Sequence, residues 1–403
     1  MKFIKLSTLV LIALFTVINV TMAQEGVKEE RIGLKVKPTV KLHGRIQYDF
    51  EFLSQKSDID GIDDYKLKGQ EFRRVYLEAG GTIFKNIKYK AQVEFVGGQV
   101  AYRDMYIKFV DLPYIGGNLA LGSVAEATGI DMATSSKYIS FIERSMITST
   151  QAFRWNSGIH YSNFGILDGK IGLQASYAFN GNHAVGFKDK AIGEGGHIVA
   201  RLTSPIFKNK EKNQLIHVGI NYENRNYSGD PADKALKFRP ENHMGYKVSV
   251  PFDSLKTQSD IGFEVAAIFG PFSFQAEYEI AKYQTVAKDY TVNGYYAALT
   301  YFVTGGRRGF KKGAGSRVKP FNNFCIKDGN FGALELVARY SVLDYSDTVE
   351  AEFGDKVSNI TAGFNWYLNS HARIMYNYVI SDFNNDGDNN KLNANLIRFQ
   401  IDF

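Results

Sequence analysis

The chain has 403 residues and a single cysteine, Cys325, so it can close no intramolecular disulfide and offers no thiolate cluster for a metal. Proline is scarce, with 8 residues, and only 2 of the many aromatic residues are Trp. No sign of charge dominates: 48 Lys and Arg stand against 42 Asp and Glu, a formal +6 that falls to +4 if Lys2 and Lys5 leave with an export leader. That balance gives no ground for a nucleic-acid partner. Long apolar runs are missing too. The longest, Leu6 to Val20, has about 15 residues and is short of the roughly 20 that a membrane-crossing helix needs. The mean hydropathy of −0.22 agrees, and a helical membrane protein is excluded. The seven His never fall at metal-ligand spacing, and no Ser/His/Asp or Gly-x-Ser-x-Gly arrangement occurs. The chain therefore reads as no enzyme, and nothing in it implies a cofactor. Asp382-Phe-Asn384-Asn-Asp386-Gly387 opens like a calcium loop, but Asn393 stands where the bidentate Glu belongs.

What is present begins with a leader. Lys2 and Lys5 precede the apolar run, and Thr21-Met22-Ala23 puts small residues where a signal peptidase cuts, so residues 1–23 read as a signal peptide. A short periplasmic segment, 24–38, then leads into one domain, 39–403. Aromatic residues make up 14% of the chain, with 30 Phe and 24 Tyr. Stretches of 9 to 13 residues alternate apolar with polar. In Ile87-Lys-Tyr-Lys-Ala-Gln-Val-Glu-Phe95, one face carries Ile, Tyr, Ala, Val and Phe, and the other Lys, Lys, Gln and Glu. One face suits lipid and the other water, and apolar faces heavy in Tyr and Phe suit the interfacial girdles of a membrane barrel.

Strands are predicted at 39–53, 70–84, 87–96, 100–110, 117–124, 153–163, 168–180, 196–204, 214–225, 259–269, 272–282, 291–303, 331–344, 357–368, 371–382 and 394–403. The fold expected is all-β, a closed antiparallel transmembrane barrel of sixteen strands in the outer membrane of a Gram-negative bacterium. Eighteen strands are the alternative if Met244 to Val250 crosses as well, although Pro240 and Pro251 favour a loop there. The last strand ends Ile397, Phe399, Ile401, Phe403 on one face, a terminal aromatic that resembles the signal for barrel assembly. Parity places 54–69, 125–152, 181–195, 226–258 and 383–393 outside the cell. It places 304–330 in the periplasm, where turns are normally short.

Five stretches resemble the phosphate-selective O and P porins: Thr134 to Ser145 (TSSKYISFIERS), Gly270 to Tyr278 (GPFSFQAEY), Tyr301 to Pro320 (YFVTGGRRGFKKGAGSRVKP), Gly332 to Ser341 (GALELVARYS), and Gly363 to Leu368 followed by the terminal IDF. The resemblance implies a trimeric sixteen-stranded barrel in outer-membrane lipid. Inward-folded loops carrying Lys and Arg would constrict it and pass small anions such as phosphate. The chain departs from the family at Val124-Ala-Glu-Ala-Thr128, where members commonly read Phe-Lys-Glu-Pro-Phe, so a pore lysine is missing. It departs again at Lys237-Phe-Arg239-Pro-Glu241, where an Arg-rich run is thinned.

Parity turns twelve wall bases inward, Arg74 and Lys108 among them, against ten acids. A nearly neutral wall leaves selectivity to the constriction. The first candidates for it are Arg307, Arg308, Lys311, Lys312, Arg317 and Lys319, six bases with no acid between them. Lys137 and Arg144 in the loop 125–152 and Lys237 and Arg239 in the loop 226–258 follow. For Arg144, pairing with Glu143 or Asp104 to hold the loop to the wall is as good a reading as lining the pore. A general diffusion channel for neutral solutes or peptides, and a non-conducting adhesin or scaffold, remain as alternatives.

Overall fold

The computed structural model describes residues 38–57, 64–98, 100–151, 155–183, 196–227, 232–348, 354–385 and 388–403. The leader 1–23 and nearly all of the segment 24–38 lie outside them. The strands are β1 (Lys41–Ser57), β2 (Tyr65–Phe84), β3 (Ile87–Glu94), β4 (Ala101–Val110), β5 (Asn118–Ala125), β6 (Trp155–Ile166), β7 (Ile171–His183), β8 (Gly196–Asn209), β9 (Gln214–Asn226), β10 (Ala232–Phe238), β11 (Val248–Phe269), β12 (Phe272–Thr285), β13 (Asp289–Thr304), β14 (Gly309–Lys311), β15 (Ala314–Ser316), β16 (Ala333–Asp344), β17 (Lys356–Tyr367), β18 (Ala372–Asn385) and β19 (Asp388–Asp402). One antiparallel sheet holds seventeen of them, and β14 with β15 forms a separate hairpin. Strand β10 pairs only with the outer extension of β11, which leaves sixteen strands in the barrel. Pairing of β1 with β19, from Arg45↔Asp402 to Ser57↔Asn390, closes the circle and leaves no edge in lipid.

Each of the sixteen predicted strands forms, and the eighteen-strand alternative does not. Residues 248–256 extend β11 above the barrel, where Pro251 sits opposite Ala235 in a two-stranded ribbon. Pairing of β11 with β12 begins only at Leu255, so Pro251 has a free edge beside it and costs no ladder hydrogen bond.

Burial is inverted relative to a soluble protein. Arg201, Glu264, Glu335, Arg339, Arg373 and Arg398 are buried on the inner face, whereas Leu77, Ile107, Leu202, Phe263, Leu299 and Ile360 are exposed on the outer one. Alternation within each strand produces this, because successive side chains point to opposite faces. Exposed Tyr222, Tyr278, Tyr295 and Tyr340 lie toward the end with the long loops, and Phe269, Phe272 and Tyr301 toward the end with short turns such as Gly270-Pro271. These two levels are the interfacial girdles. Only about six residues of strand separate Tyr295 from Tyr301, so small side chains such as Val265, Ala276 and Ala297 mark the middle of the band, in register with one another.

The lumen is not empty. Residues 126–151 turn back into it, with one-turn helices at Ile130–Ala133 and Met146–Gln151. Toward the extracellular end, Leu236 and Phe238 of β10 and Val250 and Phe252 of β11 close on Leu53, Tyr283, Leu343, Tyr345, Leu392 and Leu396 of the wall in one apolar cluster. Phe252 stacks on Tyr283 with ring centres 4.4 Å apart.

The facing of the strands is testable. Val265→Arg, at the middle of the lipid band, should cost about 2–4 kcal/mol of folding free energy in vesicles, and Phe272→Arg, at the girdle, about 0–1 kcal/mol. Equal losses in urea titrations of the two variants would mean that the depth assignment is wrong.

Candidate functional site: the loop-filled lumen

A loop placed inside a barrel must find partners for its backbone carbonyls. From Ser136 to Glu143 the wall, with Arg308 of the segment after β13, supplies them almost residue by residue. Gln47 Nε2 donates to the carbonyl of Ser136 at 3.0 Å and Gln400 Nε2 to that of Lys137 at 3.1 Å. Arg308 Nη1 reaches Tyr138 O at 2.9 Å, Arg373 Nη1 reaches Ile139 O at 2.8 Å, and Asn365 Nδ2 reaches Ser140 O at 2.8 Å. Arg398 Nη1 takes Ile142 O at 2.5 Å and Arg339 Nη2 takes Glu143 O at 3.0 Å. In return the Ile142 amide donates to Asn377 Oδ1 at 2.7 Å.

The loop adds one charge. The carboxylate of Glu143 sits between Arg73 (2.9 Å), Arg398 (2.9 Å) and Arg74 (3.9 Å). Burial alone would raise this carboxyl, but Arg73, Arg74 and Arg398 outweigh it and hold it well below the usual carboxylate range. Both Arg73 and Arg74 face inward because the β1–β2 register shifts by one residue between Gln47 and Tyr48, leaving Arg73 as the bulged residue. Strict alternation selects Arg74 and sends Arg73 to lipid, so sequence reading missed Arg73. At the start of the loop, the Asp131 amide donates to Glu277 Oε1 at 2.6 Å. Gly129 permits the approach: its φ is +111°, and a Cβ there would stand 2.0 Å from Glu277 Oε2.

Arg144 pairs with neither Glu143 nor Asp104. It turns back on its own loop, donating to Asp131 O at 2.9 Å and Thr134 O at 2.6 Å. Asp104 instead accepts Lys90 Nζ at 2.9 Å, the Ala125 amide and the Trp155 indole.

The basic segment after β13 splits into three groups. Arg308 is buried in an ion pair with Glu335, and Arg317 is tied to Asp402 and donates to the Tyr138 hydroxyl at 3.2 Å. The β14–β15 hairpin turns up against inward-facing wall residues. Gly313 O accepts Arg201 Nη2 at 2.6 Å, Phe310 packs on the His217 ring at 4.8 Å, and the Gly315 amide donates to Thr134 Oγ1 of the inserted loop at 2.9 Å. Its tip presents Lys311 and Lys312, both exposed. Arg307 and Lys319 are exposed as well, but near the rim, where the Arg307 guanidinium is 5.9 Å from the Phe321 ring.

The loop and hairpin thus lie against β8 to β19 and β1, where the inner faces are buried. Beyond Arg73 and Arg74 of β2, solvent reaches the inner faces of β3 and β4 toward their periplasmic ends. Lys88 is exposed, Lys108 is half-buried with its ammonium 4.6 Å from the Tyr106 ring, and the two stand directly opposite in register. Lys88 therefore faces another base rather than an acid. Lys312 lies within electrostatic reach of Lys108 from the hairpin. Among the described residues, Lys88, Lys108, Lys137, Lys311 and Lys312 make no ion pair, whereas Lys90 is held by Glu78 at 3.0 Å and by Asp104. On the extracellular side, Lys237 and Arg239 come together with Lys247, which the sequence reading did not single out. Burial, with Arg239 and Lys237 nearby, pulls the Lys247 ammonium below its ordinary value. Lys137, half-exposed on the inserted loop, is lowered by burial and by Arg45, against the opposing pull of Asp402.

A closed barrel with loops folded inward from both ends agrees with the comparison to known families, in which the profile of the phosphate-selective porins O and P matches residues 40–403. The chain belongs to that family. Porin O of Pseudomonas aeruginosa is 29% identical over 406 residues, an alignment covering 88% of each chain. Among solved structures, an anion-selective porin from Comamonas acidovorans matches with a TM-score of 0.54 at 13% identity, over 91% of this chain and 100% of that one. The outer membrane channel DcaP of Acinetobacter baumannii matches with a TM-score of 0.55 at 12% identity, over 92% and 98%. At those identities the structures speak for the fold alone. Family and fold together make this an outer-membrane porin, a channel architecture.

If the Glu143 cluster holds the loop, Glu143→Gln leaves three guanidinium groups without their shared anion, at a cost of about 3–5 kcal/mol. The expected result in planar bilayers is a larger and noisier single-channel conductance. An unchanged conductance would show that the carbonyl contacts hold the loop alone.

Proposed function

We propose that the protein lets small anions diffuse passively across the outer membrane, and that the cations left free by loop anchoring set the preference. The observation carrying this reading is the division of the lumen bases. Arg74, Arg144, Arg308 and Arg317 are bonded to protein oxygen or to a wall side chain, whereas Lys88, Lys108, Lys137 and Lys312 have no acid partner among the described residues. With Lys237, Arg239 and Lys247 they form three basic groups along the channel: at the extracellular side, on the inserted loop, and between the hairpin tip and β3–β4. Weak sites in series let an ion enter without being trapped. A lysine ammonium suits this role because it attracts an oxyanion as a point charge without fixing two oxygens as an Arg fork does. Phosphate is the anion that the family's description names. Ala125, standing where family members commonly carry a lysine, weighs against strong phosphate selection.

A general diffusion route for neutral solutes is the second reading, favoured by Lys90, Glu78 and Asp104, whose charges offset one another on the open wall. Trimers are favoured by the same wall. Strands β3 and β5 have 8 residues each, fewer than the roughly 9–11 that a tilted strand needs to cross the hydrocarbon, so a second copy beside them would shield their ends.

Reversal potentials under a salt gradient test the proposal. The wild type is expected to prefer anions, with insertions closing in three equal steps and phosphate blocking chloride current. Changing Lys88, Lys108 and Lys312 together to Ser should reduce the anion preference severalfold while conductance persists. Cation preference in the wild type would sink the idea, and a folded protein that never conducts would favour a scaffold. Alkaline titration gives a second check. Burial holds Lys137 and Lys247 below the ordinary lysine value, so both lose charge first as the pH rises, and anion preference should begin to decline at a lower pH than ordinary lysines allow.

A further inference from the structure

The periplasmic segment between β13 and β16 does two different things. Its first half turns into the lumen, and its second half turns outward over the rim. Trp366 alternates with the lumen-facing Asn365 and Tyr367 and so points to lipid; its indole donates to the Phe331 carbonyl at 2.7 Å, and Phe324 packs edge-on against it at 5.4 Å. The backbone there is well tied. Phe324 N donates to Leu368 O at 2.7 Å, and Cys325 and Asn330 exchange hydrogen bonds of 2.9 and 3.0 Å around a single 3₁₀ turn at Ile326–Asp328. Yet this ordered loop holds Phe321, Ile326 and Phe331 in the open, at 64%, 73% and 68% exposure.

Large apolar side chains held exposed on a fixed backbone mark a contact surface. Two further observations identify what covers this one. The loop continues the periplasmic girdle: Phe272, Tyr301, Leu336 and Phe364 form one cross-strand row on the lipid face, and Trp366 begins the next level toward the rim. Exposed Arg307, Lys319 and Lys327 rim the patch, with Asp328 as the one acid of the segment 305–332. Apolar tips under a basic rim, at the edge of an aromatic girdle, match the boundary between acyl chains and phosphate headgroups.

We propose that residues 321–331 are a membrane anchor seated in the periplasmic leaflet of the outer membrane, with Ile326 and Phe331 among the acyl chains and Arg307, Lys319 and Lys327 on lipid phosphates. Two of the bases in the sequence motif 307–319 then serve lipid rather than the permeating ion. By fixing the base of the β14–β15 hairpin to the bilayer, the anchor also steadies the hairpin tip inside the lumen.

The lone cysteine makes the test direct. The full-length chain carrying Cys325→Ser and Ile326→Cys is labelled with the environment-sensitive dye NBD. It is then folded in detergent and placed in vesicles of phosphatidylethanolamine and phosphatidylglycerol that contain lipids brominated at a shallow acyl position. Cys325→Ser with Lys212→Cys, on an exposed polar turn of the same rim, is the reference. Ile326 belongs to no core cluster, so the barrel should keep its resistance to unfolding in cold SDS, which is checked first. At position 326 the dye should emit to the blue, lose most of its intensity to brominated lipid and resist iodide; at 212 the order should reverse. Adding Lys319→Gln and Lys327→Gln should raise iodide access at 326 severalfold. If the dye at 326 is quenched by iodide like that at 212, the loop stands in water and the proposal fails. If it escapes both quenchers and unlabelled Ile326→Cys chains cross-link as pairs, the patch contacts a second copy, which overturns the proposal as well.

Discussion

Guanidinium groups donating to the carbonyls of a loop that has left the surface are the interaction on which this structure depends. A chain segment inside a barrel gives up the water that would bond its backbone, and each buried carbonyl left without a donor costs free energy comparable to a lost hydrogen bond. Arg308, Arg339, Arg373 and Arg398, with Gln47, Asn365 and Gln400, replace that water for residues 136–143. Arginine suits the task because its planar fork can serve two acceptors in fixed directions. Arg398 does so, bonding the carboxylate of Asp49 on β1 at 2.7 and 2.6 Å while also reaching Ile142 O and Glu143.

Charge spent in this way is screened from the channel. An arginine whose donors are taken by carbonyls and carboxylates presents little field to a passing ion. The wall that is richest in Arg is therefore the wall on which the loop rests. The opposite wall keeps lysines with solvent around them. Lys88 and Lys108 repel each other across one register position, and the water around them screens that repulsion. The same separation runs through the segment after β13: Arg308 and Arg317 fasten it, Lys311 and Lys312 crown its tip, and Arg307 and Lys319 stay at the rim.

The barrel was legible because its signal is local. In Ile87 to Phe95 or Ile261 to Phe269, parity alone tells which side chains meet lipid, and sixteen such segments place the strands within a few residues. The misjudged stretches are those where tertiary pairing overrides local cues. Pro251 argues for a loop in isolation, but next to Ala235 it lies in a ribbon whose other edge is free. Arg73 belongs outside by alternation, and a bulge brings it in. The extracellular ends of the strands are longer than predicted because β10 and the β11 extension give their apolar residues a surface to cover.

By itself the sequence determined the fold class, the strand count, the family and, outside the bulge at Arg73, the lipid-facing and lumen-facing sets, since each rests on periodicity or on contiguous motifs. Which bases remain available to an ion was decided only by the tertiary structure. Lys312 and Arg308 are four residues apart in one basic run, yet one is exposed toward Lys108 and the other is buried against Glu335 and Tyr138. Likewise Arg144 and Lys137 share one motif, but only Arg144 folds back on the carbonyls of its own loop. The physical reason is that a charge is defined by its partners, and those of Arg308, Glu143 and Arg398 lie tens to hundreds of residues away, where no local pattern reaches.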